Sequence, residues 1–124
     1  MCTILMSINP EHVKNILSGN KEYEFRKVSC RKSIDKIIIY STFPVMKIVG
    51  EAKVKSVITG SPDSVWNITK NKSGITKKYF DSYFKGKKIA IAYNLGEVIK
   101  YNTPKRLTDV GVNKAPQSFQ YLDI

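Results

Sequence analysis

Lys21, Glu24 and Arg26 stand within GNKEYEFRK, residues 19–27, and their types and spacing carry chemistry. An ammonium can hold an oxyanion or carbonyl, a carboxylate can accept from an amine, and a guanidinium can fork onto a phosphate. On an extended strand Glu24 and Arg26, two apart, point to one side, where they pair with each other or share a ligand. Lys21 follows the turn glycine Gly19 and enters the strand without being bound by its alternation. Were burial to lower its pKa, it could act as base or nucleophile with Glu24 relaying protons. A plain surface ion pair between Glu24 and Arg26 is the competing reading, worth well under about 1 kcal/mol. It leaves the combination of turn glycine, lysine, carboxylate and arginine a coincidence.

Little else in the chain offers a reaction centre. His12 is the only histidine, and it follows Asn9-Pro10 in the first turn of an expected helix, where it reads as a solvated imidazole. Cys2 and Cys30 form no disulfide framework and have no metal-ligand spacing. The basic neighbours Lys27 and Arg31 could lower the Cys30 thiol pKa, although an inert thiol is the simpler reading. The ten carboxylates are scattered, which gives no glycosidase pair. GxGxxG and GxxxxGK[ST] are both absent, so no phosphate-cradling loop is expected. No cofactor and no metal are expected.

The charge is the strongest compositional signal. Lys and Arg number 21 against 10 Asp and Glu, a net charge of +11. Residues 70–88 alone carry Lys70, Lys72, Lys77, Lys78, Lys85, Lys87 and Lys88 against Asp81. Clustered positive charge favours polyanions, nucleic acid first. The chain is 42% hydrophobic and 25% charged, which places it among globular proteins rather than disordered ones. No apolar run approaches the roughly 20 residues of a membrane span, and MCTILMSINPEH lacks the features of a signal peptide. A cytoplasmic, reduced protein without membrane attachment is expected, as one domain over residues 1–124.

The elements that must position these residues are short. ILMSI (4–8) reads as a first strand; Asn9 suits an N-cap, Pro10 the first helical position, and Val13, Ile16 and Leu17 a buried stripe ending at Gly19. KEYEFRK alternates, with Tyr23 and Phe25 on one face and Glu22, Glu24 and Arg26 on the other. KIIIYSTF (36–43) is a buried strand, and KIVGEAKVKSVI (47–58) alternates with Ala52, Val54, Val57 and Ile58 inward. Ser61-Pro62-Asp63 starts a helix with Val65, Trp66 and Ile68 to bury. In ITKKYFDSYFKGK (75–87), Tyr79, Phe80, Tyr83 and Phe84 share a face that reads as core, with base stacking as the functional alternative. KIAIAYNLGEVIKY (88–101) is one long strand bent at Gly96 or a hairpin there, and SFQYL (118–122) a last strand. Six strands with two to three short helices make an α+β domain, a small barrel rather than a doubly wound sheet.

GNKEYEFR fits G-x-K-x-x-E-x-R through Gly19, Lys21, Glu24 and Arg26, and in this it resembles the ASCH domain family. SINPEHVKNILSG resembles that family's opening strand, helix and turn, and IIIYSTFPVMKIVGEAKV its following strands. YFKGKKIAIAY and PQSFQYL resemble the closing strands, so the likeness runs along essentially the whole chain. It implies a PUA-like β-barrel with a ligand cleft along which the motif lies, a fold associated with RNA binding and with recognition of modified bases. One branch of the family hydrolyses the acetyl amide of N4-acetylcytidine with a lysine, a threonine and a glutamate. Lys21 matches that lysine, Glu24 stands in the place of the threonine, and NKSGIT (71–76) offers no second glutamate.

RNA, or a nucleotide-like ligand, is therefore the expected partner. Lys21 would hold an oxyanion or carbonyl, Glu24 an exocyclic amine such as cytosine N4, and Arg26 a phosphate or carbonyl oxygen. Ser7, Tyr40 and Ser41 are further candidates for the cleft wall, and Lys77, Lys78, Lys85 and Lys87 for backbone contacts. The alternative is a small amidohydrolase acting on an acylated nucleoside, with Lys21 and Glu24 catalytic. A lysine–glutamate pair at the floor of a closed, nucleoside-sized pocket favours an enzyme; an open groove continuous with the lysines at 70–88 favours a binder.

Overall fold

The computed structural model describes residues 2–123. Six strands, β1 (Cys2–Ile8), β2 (Tyr23–Arg26), β3 (Ile34–Ser41), β4 (Lys47–Gly60), β5 (Ala90–Lys105) and β6 (Phe119–Leu122), form one sheet. Their order is β2-β5-β4-β3-β1-β6, with β1 and β3 parallel and the other neighbours antiparallel. Three helices, α1 (Pro10–Ser18), α2 (Pro62–Thr69) and α3 (Lys77–Tyr83), complete the expected α+β fold. None is long and apolar enough to cross a membrane.

Local chemistry sets the helix ends. Asn9 Oδ1 accepts from the Glu11 amide at 2.9 Å, Pro10 fills the first turn, and Gly19 closes α1 at φ 87° with its N–H on the Ile16 carbonyl. Thr76 caps α3 through the Tyr79 amide. In α2, Val65 and Thr69 are buried and Trp66 packs on Phe80 at 5.0 Å, but Ile68, expected inside, is 60% exposed. Val57 also points outward, contrary to the alternation read across β4. Register shifts against β5 at Ala52/Val54 and Val54/Ser56 break that alternation. They lie opposite the stretch around Gly96, so β5 is one long bent strand and not a hairpin.

The sheet is buried on both faces. Ile4, Met6, Ile8, Ile37, Ile39 and Tyr93 pack with Val13 and Ile16 of α1. Leu5, Ile38, Tyr40 and Ile48 pack on the other face with Val112. Such a strand must be apolar at every position, which explains IIIY in β3. Phe25, Ala90 and Ala92 meet Val65, Phe80 and Phe84 where α2 and α3 cover β2 and β5.

Strands β2 and β6 are the two ends of the sheet and do not pair with each other. Arg26, at the end of β2, nevertheless donates to the Ser7 carbonyl on β1 and to Ser118 Oγ beside β6. Among the described residues the six-stranded sheet is not closed into a barrel; the Arg26 side chain, not a strand ladder, bridges the seam between its two ends.

Candidate functional site

The segment after Gly19 is pinned from three sides before β2 begins. The Lys21 amide donates to Asn15 O of α1, the Glu22 amide to Lys72 O, and Glu22 O accepts from the Leu95 amide of β5. This draws the Lys21 side chain inward, where it is 2% exposed. Its Nζ donates to the Ser73 carbonyl at 2.9 Å, lies 4.8 Å from the Phe25 ring centroid and stands 4.0 Å from Glu24 Oε1. Burial pulls the lysine from 10.5 down to about 8, against the opposing attraction of Glu24. The 70–76 loop fits closely over it. Gly74 has φ +70°, and a Cβ there would lie 2.6 Å from Lys21 Cγ.

Glu24 is 5% exposed. Arg26 Nη2 and Nε donate to the same Glu24 oxygen, Oε2, at 2.8 and 3.2 Å, which leaves Oε1 turned toward Lys21. The guanidinium also serves Ser7 O at 2.8 Å and Ser118 Oγ at 3.2 Å. Its fork is engaged inside the protein, on Glu24, Ser7 and Ser118. Glu24 and Arg26 pair as their spacing allows, but as a buried pair and not a surface one.

Lys21, Glu24, Arg26 and Ser7 line one cavity of about 170 Å³ with Asn9, His12, Phe25, Ile75, Tyr79 and Tyr83. Ser7 contributes its backbone, since its hydroxyl donates to Pro116 O. Tyr40 and Ser41 lie elsewhere. Tyr40 is buried with Leu5 and Ile48 on the other face of the sheet, and Ser41 borders a separate groove with Pro10, Val13 and Val45. A strand buried on both faces gives no alternation from which to tell the cleft side.

Six further residues join the cavity, of which His12, Tyr79 and Tyr83 bring polar groups from α1 and α3. His12 is half-buried rather than solvated, and its Nε2 meets Tyr79 Oη at 3.0 Å. Burial, with Lys21 adding to it, lowers its pKa below the ordinary imidazole value. Its Nδ1 is buried without a partner. The aromatic face of α3 is divided: Phe80 and Phe84 are core, while Tyr79, 46% exposed, and Tyr83 stack at 6.4 Å and 9° beside the cavity. Only their period in α3, one turn apart, hinted at this. Lys77, Lys78, Lys85 and Lys87 are all exposed, and Lys77 pairs with Asp81 at 2.9 Å. The Cys30 thiol is pushed up by burial, in keeping with the inert thiol expected from the sequence, and accepts from Tyr93 Oη at 3.1 Å.

The family model described as a domain of unknown function, DUF365, matches residues 1–115. The crystal structure of ASCH from Zymomonas mobilis superposes with a TM-score of 0.88 at 26% identity, covering 98% of this chain and 87% of that one. The chain belongs to DUF365 and is an ASCH domain. An ASCH domain-containing ribonuclease of the same bacterium is 28% identical over 122 residues, 95% of this chain and 82% of that protein. The large ribosomal subunit protein uL22 of Ureaplasma parvum is 33% identical over 121 residues, 97% of this chain. The chain spans only 39% of that ribosomal protein's length.

Proposed function

We propose that this ASCH domain binds single-stranded RNA and cleaves it at a nucleotide held in the cavity. The observation that carries the reading is the buried Lys21–Glu24 pair, 4.0 Å apart in a small cavity walled by aromatic rings. A buried lysine beside a buried carboxylate on the wall of a small cavity is an arrangement suited to proton transfer. A cavity this small admits one ring system, so the base must leave its stack, which favours unpaired RNA. The similarity to a ribonuclease supports the same reaction class.

Glu24 Oε1, fixed by the hold of Arg26 on Oε2, takes the proton of the ribose 2′-hydroxyl. The 2′-oxygen then bonds to phosphorus while the bond from phosphorus to the 5′-oxygen breaks. The Lys21 ammonium neutralises the charge gathering on phosphorus and gives its proton to the departing 5′-oxygen. The products are a 2′,3′-cyclic phosphate and a 5′-hydroxyl. Tyr79 and Tyr83 stack on the base. Lys78, Lys85 and Lys87 hold the backbone. Hydrolysis of an acylated nucleoside is less well supported, because the loop before α3 brings Gly74 and the Ser73 carbonyl to the lysine and no second carboxylate.

Incubation with an unstructured RNA and analysis of its new ends tests this. Cyclic phosphate ends should form, at a rate falling above pH 8 as Lys21 loses its proton. Changing Lys78, Lys85 and Lys87 to glutamine should flatten the dependence of log affinity on log salt by about 2, at roughly 0.7 per phosphate contact. RNA left intact across pH 6–9 would overturn the cleavage reading, and unchanged salt dependence the assignment of those lysines.

A further inference from the structure

Lys21 offers the cavity more than a charge. Among the described residues its Nζ has one hydrogen-bond partner, the Ser73 carbonyl; Glu24 Oε1, at 4.0 Å, lies beyond hydrogen-bond reach. A lysine amine carries three donors or, once neutral, a lone pair, so most of its capacity is uncommitted on a residue of the cavity wall. A lysine desolvated in an apolar pocket is the form in which this side chain attacks carbonyl carbon. Its titration near pH 8 agrees with that. The cavity also limits what can reach the amine. At about 170 Å³ it falls below the roughly 300 Å³ at which pockets for whole small ligands begin. A sugar without its base fits more deeply than a complete nucleoside.

We propose that Lys21 is a nucleophile toward aldehydes and that the cleft acts on abasic nucleotides, whose sugar opens to a free C1′ aldehyde. This rests on the reading of the cleft as a nucleotide site, and it assigns that site a second substrate class and a second reaction. The neutral amine adds to C1′, forming the N–C bond, and the carbonyl oxygen takes up protons and leaves as water, giving an iminium. Glu24 Oε1 removes a proton from C2′. That electron pair moves toward the iminium, and the bond from C3′ to the 3′-phosphate breaks, the phosphate leaving with its electrons. Water then hydrolyses the imine and frees Lys21. No oxidant or reductant is needed. The two reactions demand opposite states of one amine: cleavage of intact RNA needs Lys21 protonated, whereas imine formation needs it neutral.

A single-stranded DNA oligonucleotide with one abasic deoxyribose, made by uracil excision, is the probe. With cyanoborohydride present it should become covalently attached to the protein, and peptide mass spectrometry should place the adduct on Lys21. The same strand with its base in place should give none. Without reductant, strand scission should quicken about fifty-fold from pH 6 to pH 8, following the neutral fraction of an amine that titrates near 8. Mapping in the wild-type protein avoids dependence on a Lys21 variant that fails to fold. No adduct, or adducts scattered over exposed lysines and the terminal amine, overturns the inference. Binding and cleavage of intact RNA, measured in parallel, show whether such a failure belongs to this inference alone or to the nucleotide cleft beneath it.

Discussion

Lys21 is the residue at which stability and chemistry conflict. A lysine is almost never fully buried without a partner, and this one has a carbonyl, a ring face and a carboxylate at 4.0 Å. The folded protein holds it at about 8 and an unfolded chain at 10.5, so between these values the unfolded state binds the extra proton. Stability withheld by the buried charge below pH 8 is therefore regained as the pH rises toward 10.5. At 1.36 kcal/mol per pH unit the full effect is on the order of 3 kcal/mol. Lys21→Met should accordingly be more stable than wild type at pH 7 and lose that advantage by pH 10.5, as read from urea midpoints at the two pH values. An advantage independent of pH would mean that the lysine is not desolvated. The motif that contains Lys21 was legible in the sequence. Its burial was not, because local alternation says nothing about what folds over a residue.

The element that folds over it is the 70–76 loop. Ser73, itself 1% exposed, bonds through its hydroxyl to Lys70 O and Ile75 O and presents its carbonyl to Lys21. Gly74 lies against the lysine stem. Two glycines separate backbone strain from this contact. Gly74 and Gly86 both have positive φ, +70° and +78°, but a Cβ on Gly86 meets nothing within 4 Å. Alanine at either site should lose roughly 1–2 kcal/mol to left-handed strain. Only Gly74→Ala should also displace Lys21 and abolish turnover, with Gly86→Ala as active as wild type. Equal activity of the two variants would remove the loop from the site. In the sequence NKSGIT reads as an ordinary helix approach; its partner lies 52 positions away from Ser73.

At the scale of the whole molecule, Arg26 is the seam. It joins β2 to β1 and to the approach of β6, and it neutralises Glu24 while leaving one carboxylate oxygen for the cavity. Arg26→Ala strands a buried carboxylate and should lose about 3–5 kcal/mol of stability. Amide exchange should accelerate at both β2 and β6, which are the ends of the sheet. Arg26→Lys should recover little, because an ammonium lacks the planar fork that reaches three partners at once. Faster exchange at β2 alone would show that the seam is held by something else.

The sequence by itself determined what local chemistry controls. Asn9-Pro10 and Gly19 bound α1, and Lys21, Glu24 and Arg26 fall close together, because capping and motif spacing act over a few residues. Tertiary structure decided which faces those residues meet. Strand β3, apolar on both sides, carries no mark to show that Tyr40 belongs to the core. His12 reaches Tyr79 across 67 positions and Arg26 reaches Ser118 across 92. Those distances close only because the sheet curls and α3 packs over it, and side-chain partners chosen by curvature leave no period in the chain.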